Sequence, residues 1–268
     1  MERQGYARAN WTVAIITLVV FGATCWLHDL LALFEFYRQL GEQYPSYVRG
    51  TLRSGLKVAI VLAALVATYR FSLADAAREL GLAKRFWFGL AIGTLAVAPM
   101  WLGFVFTAPL DPEFSIASTL YLAVLSPIEE EIVFRGYAFG QLYRRVGWRF
   151  WLAIVVTAGV FGILHVGQGT SLGQAVGVFL FTAVGGAFFA WLFVKWDGNL
   201  WVPIVVHAEM NMNWNVFDVG ETAVAGWWPA ALQSSVLVTA ITLTLLRDRI
   251  PLLSSKTEPE VTSTSPPQ

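Results

Sequence analysis

The chain has 268 residues, of which 56% are hydrophobic and 13% charged, with a formal net charge of +0 and a mean hydropathy of +0.59. Soluble domains carry about 25% charged residues, so the composition excludes an ordinary soluble enzyme and points to an all-α, polytopic membrane protein. No basic block suggests a nucleic-acid partner. The one cysteine, Cys25, excludes an internal disulfide and a cysteine-based metal cluster. The three histidines are His28, His165 and His207, so any histidine site must draw on these.

A spanning helix needs about 20 mostly apolar residues. The first candidate, residues 11–27, follows Arg3 and Arg8 and resembles a signal peptide. It is longer than a usual signal core of about 7–15 residues, so a retained span is expected, with a cleaved signal as the alternative. Residues 28–54 read as a polar connection with a short amphipathic piece from Leu30 to Leu40. A second span is expected near 55–69. The segment 72–85 has a serine cap and helical leucine and alanine spacing, the pattern of a helix lying on the membrane surface.

Further spans are expected near 86–108, 115–146, 150–166, 172–194, 199–216 and 226–246, about eight in all. The glycines of the 172–194 segment suggest close interior packing. The Trp-rich stretch Trp214 to Trp228 reads as an interfacial belt, with a substrate entry as the other possibility. Residues 1–250 read as one multi-span domain, and the Ser/Thr/Pro-rich tail 251–268 as disordered. No internal repeat supports a transporter built from inverted halves.

Lysines and arginines set orientation. With both termini inside, the inner segments carry Arg70, Arg78, Lys84, Arg85, Arg144, Arg145, Arg149, Lys195, Arg247 and Arg249, besides Arg3, Arg8 and Lys256. The first outer loop then holds Arg38, Arg49, Arg53 and Lys57, a violation the sequence does not explain. A cell membrane is expected, with both termini cytoplasmic.

Ionisable residues at bilayer depth are costly and are functional suspects by default. The stretch Ser126-Pro-Ile-Glu-Glu-Glu-Ile-Val-Phe-Arg-Gly136 places three carboxylates and an arginine in apolar surroundings. Successive helical residues lie about 100° apart, so Glu130 and Glu131 point differently. Glu131 and Arg135 are spaced i,i+4 with the acid first, the favourable order for an ion pair. Glu130 is left without a local cation, and a low dielectric disfavours its charged form, which makes it a candidate general base. Ser126-Pro-x-Glu129 is a capping-box pattern, so Glu129 is expected to cap a helix that begins at Pro127.

Two later pairs project from single helix faces: Phe161 with His165, and His207 with Asn211. Each histidine alone could be a satisfied interhelical hydrogen bond. Asn213 and Asn215 read as polar residues of a helix end, and Glu209 as lying at the wall or mouth of a cavity.

The combination resembles the family of CAAX-processing and bacteriocin-processing enzymes, the intramembrane glutamic endopeptidases. Glu130, Glu131 and Arg135 match its Glu-Glu-x-x-x-Arg motif, Phe161 and His165 its Phe-x-x-x-His motif, and His207 and Asn211 its His-x-x-x-Asn motif. All three occur in the family's order on separate expected spans, and the resemblance covers about residues 72–216. It implies that Glu130 activates water, that His165 binds and orients that water, and that His207 and Asn211 donate to the oxyanion. Glu131, Arg135 and Phe161 would support the site. The implied substrate is a membrane-associated peptide or protein, and no cofactor is implied. Prenyl-protein processing is not carried over, because bacterial members do not generally have prenylated substrates.

Two rivals stand beside this reading. Two histidines and a glutamate could hold zinc with one open position, although no His-Glu-x-x-His helix is present. A non-enzymatic scaffold or immunity-type membrane protein could keep the same polar cavity, although every motif position named above is intact.

Overall fold

The computed structural model describes residues 10–219 and 226–249. Arg3, Arg8, Lys256 and the tail 251–268 lie outside the described residues, so the expectations placed on them are not tested. The described chain is helical and carries no named strand; its sole β feature is an antiparallel bridge between Leu110 and Phe217.

The elements are α1 (Trp11–Cys25), α2 (Leu27–Ala32), α3 (Glu35–Gln43), α4 (Ser46–Tyr69), α5 (Leu73–Leu80), α6 (Phe86–Thr107), α7 (Ile116–Leu120), α8 (Ser126–Glu131), α9 (Phe150–His165), α10 (Leu172–Lys195), α11 (Trp201–Val216) and α12 (Trp227–Leu246). Between α7 and α8 lies a π-helical stretch, Tyr121–Leu125, and two more follow α8, Ile132–Phe139 and Gln141–Arg145. Residues 116–145 thus form one continuous helix. Among the described residues, five helices are long and apolar enough to cross a membrane: α4, α6, α9 with its short continuation to Gln168, α10 and α12. The shorter α1 is also apolar. This is an all-α, multi-pass membrane protein.

The expected polar connection over 28–54 is corrected. Helix α4 begins at Ser46 and takes in Arg49, Arg53 and Lys57. Long cationic side chains are good helix formers, and each finds a partner inside the protein. The Arg49 guanidinium lies 5.4 Å over the Tyr37 ring, Arg53 donates to the Tyr121 hydroxyl at 3.2 Å, and Lys57 reaches Glu129. These cations therefore belong to interhelical contacts, which accounts for their excess in a supposed outer loop.

Close approach is supplied mainly by α6. A Cβ at Gly89 would meet Trp201 at 2.5 Å, and one at Gly93 would meet Val205 at the same distance. These two glycines, four positions apart on α6, let the α11 backbone lie against it. The glycine-rich α10 serves two purposes instead. Gly186 packs on Ala158 of α9, while a Cβ at Gly185 would meet only open space.

Two apolar cores result. One gathers α1, α4, α5, the 132–146 segment and α9 around residues such as Val61, Leu80, Phe139 and Ala158. The other gathers α6, α11 and α12 around Ala96, Met100, Val206 and Val236. Helix α10 contributes to both, through Ala190 and Phe193 to the first and Phe188 and Leu192 to the second. Helix α8 lies between α4 and α11, so its side chains can reach either neighbour.

At one end of the bundle, α5 carries the expected serine cap. Ser72 Oγ accepts from the Asp75 amide, and the Asp75 carboxylate accepts from the Ser72 amide at 3.1 Å. Glu79 of α5 accepts from Arg145 Nη2 at 2.5 Å and from Gln141 at 3.0 Å. Arg144 donates to the Glu79 carbonyl at 2.6 Å. The α5–α6 turn meets the α10–α11 turn, with the Leu200 amide donating to the Gly81 carbonyl at 3.3 Å. Arg247 at the end of α12 pairs with Asp197 at 2.9 Å. Most of the cations assigned to the inner side therefore sit together at this end.

Candidate active site

Pro127 does not begin a helix. Leu125 and Ser126 both have right-handed helical backbone angles, and the chain passes through the proline without a break. Proline has no N–H to give a preceding carbonyl, and the helix accommodates it just after a π-helical turn. In such a turn the amide at position 127 would serve the carbonyl of Leu122, five residues back. That carbonyl instead accepts from Asn211 Nδ2 at 3.2 Å. The proline thus leaves an acceptor on the carboxylate helix that α11 uses.

The three glutamates of α8 go to different neighbours. Glu129 is 3% exposed and faces α4 rather than capping its own helix. Lys57 Nζ lies 3.1 Å from its Oε1 and 3.3 Å from its Oε2, and Ser54 Oγ donates to Oε2 at 3.2 Å. The helix is continuous here, so no free amides remain for Glu129 to cap.

Glu131 is fully buried. Its Oε1 accepts from Arg135 Nη1 at 2.8 Å and from His207 Nδ1 at 2.8 Å. The expected i,i+4 pair is present, and a histidine from α11 completes it. The Arg135 guanidinium is enclosed by aromatic faces, 4.6 Å from the Phe161 centroid and 5.2 Å from that of Phe189. A Cβ at Gly186 would come within 3.4 Å of Arg135 Nη2, so the glycine leaves room for this buried cation.

Glu130 faces a cavity of about 500 Å³. Ser126 Oγ donates to its Oε1 at 2.8 Å, and His207 Nε2 lies 3.8 Å from its Oε2. The cationic partner absent from its own helix is thus replaced by a titratable ring from α11. His165 and Asn211 line the same cavity, as do Phe161 and His207. Four residues from three separate helices, Glu130, His165, His207 and Asn211, therefore face one space. The rest of the wall is largely apolar, with Phe181 and Phe188 from α10, Trp214 from α11 and Leu237 from α12. Among the described residues, no group of three His, Cys, Asp or Glu side chains is placed to hold a metal ion together.

The hydrogen bonds assign the imidazole protons. A carbonyl oxygen only accepts, so the 2.7 Å contact between His165 Nδ1 and the Phe161 carbonyl puts the proton on Nδ1. His165 Nε2 is then an acceptor in the neutral ring. His207 Nδ1 likewise lies 2.8 Å from the Glu131 carboxylate, which also accepts from Arg135, so Nδ1 carries a proton there. His207 Nε2 donates only when the ring carries both protons.

Three participants escaped sequence reasoning. In the sequence, Lys57 reads as part of a loop. Phe189 stacks on His207 at 5.0 Å and also covers Arg135, but it is one of 19 phenylalanines and has no distinguishing neighbour in sequence. In the sequence, Ser126 reads as a helix cap, whereas its hydroxyl holds Glu130; its i,i+4 spacing from Glu130 is the signal of that contact. Glu209, expected at the cavity, instead faces α6, accepting from Thr94 Oγ1 at 2.5 Å and from Trp101 Nε1 at 3.3 Å. Asn213 lies in the last turn of α11, as expected, and is fully buried, donating to the Glu209 carbonyl at 2.8 Å.

Fold and site together define a multi-pass helical membrane protein with a carboxylate–histidine cluster inside its bundle. Residues 112–213, which contain every motif residue named above, match the family described as type II CAAX prenyl endopeptidase Rce1-like. The chain is also similar to YdiL of Bacillus subtilis (strain 168), which carries the provisional name of a membrane peptidase. Identity is 35% over 89 residues, covering 33% of this chain and 32% of the relative, so the match spans about a third of that protein's length. Through this segment the chain is similar to the CAAX-protease-like family. No solved structure matches the chain.

Proposed function

We propose that this protein is an intramembrane endopeptidase of the glutamic type, acting on a membrane-associated peptide or protein in the cell membrane. The observation that carries the reading is the common cavity: an unpaired face of Glu130, the acceptor nitrogen of His165 and the α11 pair His207 and Asn211 all meet there. Amide hydrolysis needs a base, a held water and donors aimed where negative charge develops.

In this mechanism one O–H of a water molecule is held by His165 Nε2 and the other by Glu130. Glu130 takes its proton as the water oxygen attacks the scissile carbonyl. The oxyanion receives hydrogen bonds from the second amide hydrogen of Asn211 and from His207 Nε2–H, a role that requires the doubly protonated ring. Glu131 accepts from Nδ1–H of that ring, and Arg135 holds the Glu131 carboxylate in place. Collapse of the tetrahedral adduct breaks the C–N bond, and Glu130 passes its proton to the leaving amine. No covalent enzyme intermediate forms. We place both termini on the cytoplasmic side, a reading that the cationic end of the bundle supports.

The test compares membrane proteomes of cells with the native chain and with the Glu130→Gln variant, reading newly exposed peptide termini. Cleavage that depends on Glu130 and persists in metal chelator is expected of the purified protein. Unchanged termini in the variant would sink the assignment, and loss of cleavage in chelator would replace it with a zinc mechanism.

A further inference from the structure

The cationic end of the bundle contains a second concavity, separate from the carboxylate cavity. It occupies about 430 Å³ between the α5–α6 turn and the α10–α11 turn. Its floor is aromatic. Trp196 is buried with its Nε1 donating to Thr244 at 3.1 Å, and Phe88 lies beneath the Arg85 guanidinium at 5.1 Å. Its rim carries Arg78, Lys84 and Arg85, all exposed.

The acids around it are already engaged. Asp197 is paired with Arg247 at 2.9 Å, and Asp75 with Arg78 at 2.5 Å. Among the described residues, Lys84 and Arg85 have no salt-bridge partner. The pocket therefore keeps two uncompensated cations over an apolar floor. Beside it the surface turns apolar, with Trp87 77% exposed and Phe86 39% exposed at the start of a membrane-length helix. A ligand fitting this place has an anionic head and an apolar tail. Basic pockets at the ends of membrane helices suit phosphate-bearing lipid headgroups, and aromatic side chains at that level meet the acyl boundary.

We propose that this pocket binds the phosphate of an anionic phospholipid through Lys84 and Arg85, with the acyl chains running along Phe86 and Trp87. Bound lipid would tie the α5–α6 turn to the α10–α11 turn, at the ends of two helices that frame the site.

The purified full-length chain in neutral detergent is titrated with phosphatidylglycerol or phosphatidylcholine and read by native mass spectrometry. A saturable phosphatidylglycerol adduct is expected, and no such adduct with phosphatidylcholine. A cation near a membrane surface contributes about fivefold in affinity, so Lys84→Gln with Arg85→Gln should weaken the adduct roughly 30-fold. Arg149→Gln with Lys195→Gln removes the same charge from the same end outside the pocket and should change it less than about twofold. Both pairs are exposed, and matching thermal melts confirm folding; Arg85→Gln alone serves where the double variant melts early. Equal weakening by the two double variants would reduce the effect to a general field, and no weakening by the first would remove the pocket. Displacement of the lipid by millimolar inorganic phosphate would assign the pocket to a soluble anion and overturn the proposal.

Discussion

The carboxylate helix has a packed side and an open side, and the difference between them separates structure from chemistry. On the packed side, Glu129 and Glu131 are sealed against Lys57 and against Arg135 with His207. On the open side, Glu130 has a single close donor, a neutral serine, and a histidine held just beyond hydrogen-bond range. Three identical neighbours in sequence become a bridge to α4, an anchor for the His207 ring and a candidate base. What distinguishes them is the turn of about 100° between successive residues, together with what each direction meets.

The largest expected effect breaks this comparison at its centre. Glu130→Gln keeps the Ser126 hydrogen bond and the shape of the cavity wall but cannot accept a proton. General-base catalysis contributes about 10²–10⁴-fold, so cleavage should fall by that factor while the melting temperature stays close to native. Glu131→Gln should behave differently, lowering both cleavage and stability, because Arg135 would be left buried without its charge partner. Removing one member of a buried pair costs about 3–5 kcal/mol, readable by thermal unfolding in detergent. If both variants lost only activity, the division between the two sides would be wrong.

Lys57 sharpens the comparison on the α4 side. Lys57→Met strands the Glu129 carboxylate, 3% exposed, and should destabilise the protein by about 3 kcal/mol. Adding Glu129→Gln to Lys57→Met should recover much of that loss, since the double variant buries no lone charge. Cleavage per folded molecule should stay within about tenfold of native in the double variant. A larger loss would draw Lys57 into the chemistry of Glu130.

Much of this arrangement was legible in the sequence, and the parts that were not share a physical cause. Glu130, Glu131, Arg135, His165, His207 and Asn211 stand out because ionisable and amide side chains are scarce in so apolar a chain. The helix ends were legible wherever turn chemistry marks them, as at Ser72 and after Thr107. Lys57 was not, because a hydropathy window treats Arg49, Arg53 and Lys57 as solvated, whereas each cation meets its partner through tertiary contact. The Asn211 link to the Leu122 carbonyl was hidden for a related reason. Pro127 reads as a helix start, and only the π-helical turn before it shows how a helix can run through and leave an acceptor free. Glu209 was misplaced because it shares a helix with His207 yet lies two residues on, which turns it toward α6.

The smallest expected effect extends the comparison to the end of the bundle, where a carboxylate is held by cations near water. Burial alone would raise the Glu79 carboxyl, but the Arg145 hydrogen bond, the charges of Arg144 and Arg145 and the Gln141 amide hold it below the usual carboxylate range. An acid depressed in the folded state stabilises it fully above the unfolded value of about 4.3 and loses that contribution as pH falls through the lower folded value. Helix α5 should therefore stay docked at neutral pH and loosen below about pH 4, by no more than about 1 kcal/mol, since Arg145 is partly exposed and screened. Hydrogen exchange over residues 73–82 reads this directly. Glu79→Gln should exchange faster at neutral pH and lose most of the acid dependence. If it kept the native dependence, the acid response would belong to Asp75, whose carboxyl is also held low, by the Ser72 hydroxyl and amide and by Arg78, and α5 would be fastened by its cap rather than by the arginines of the carboxylate helix.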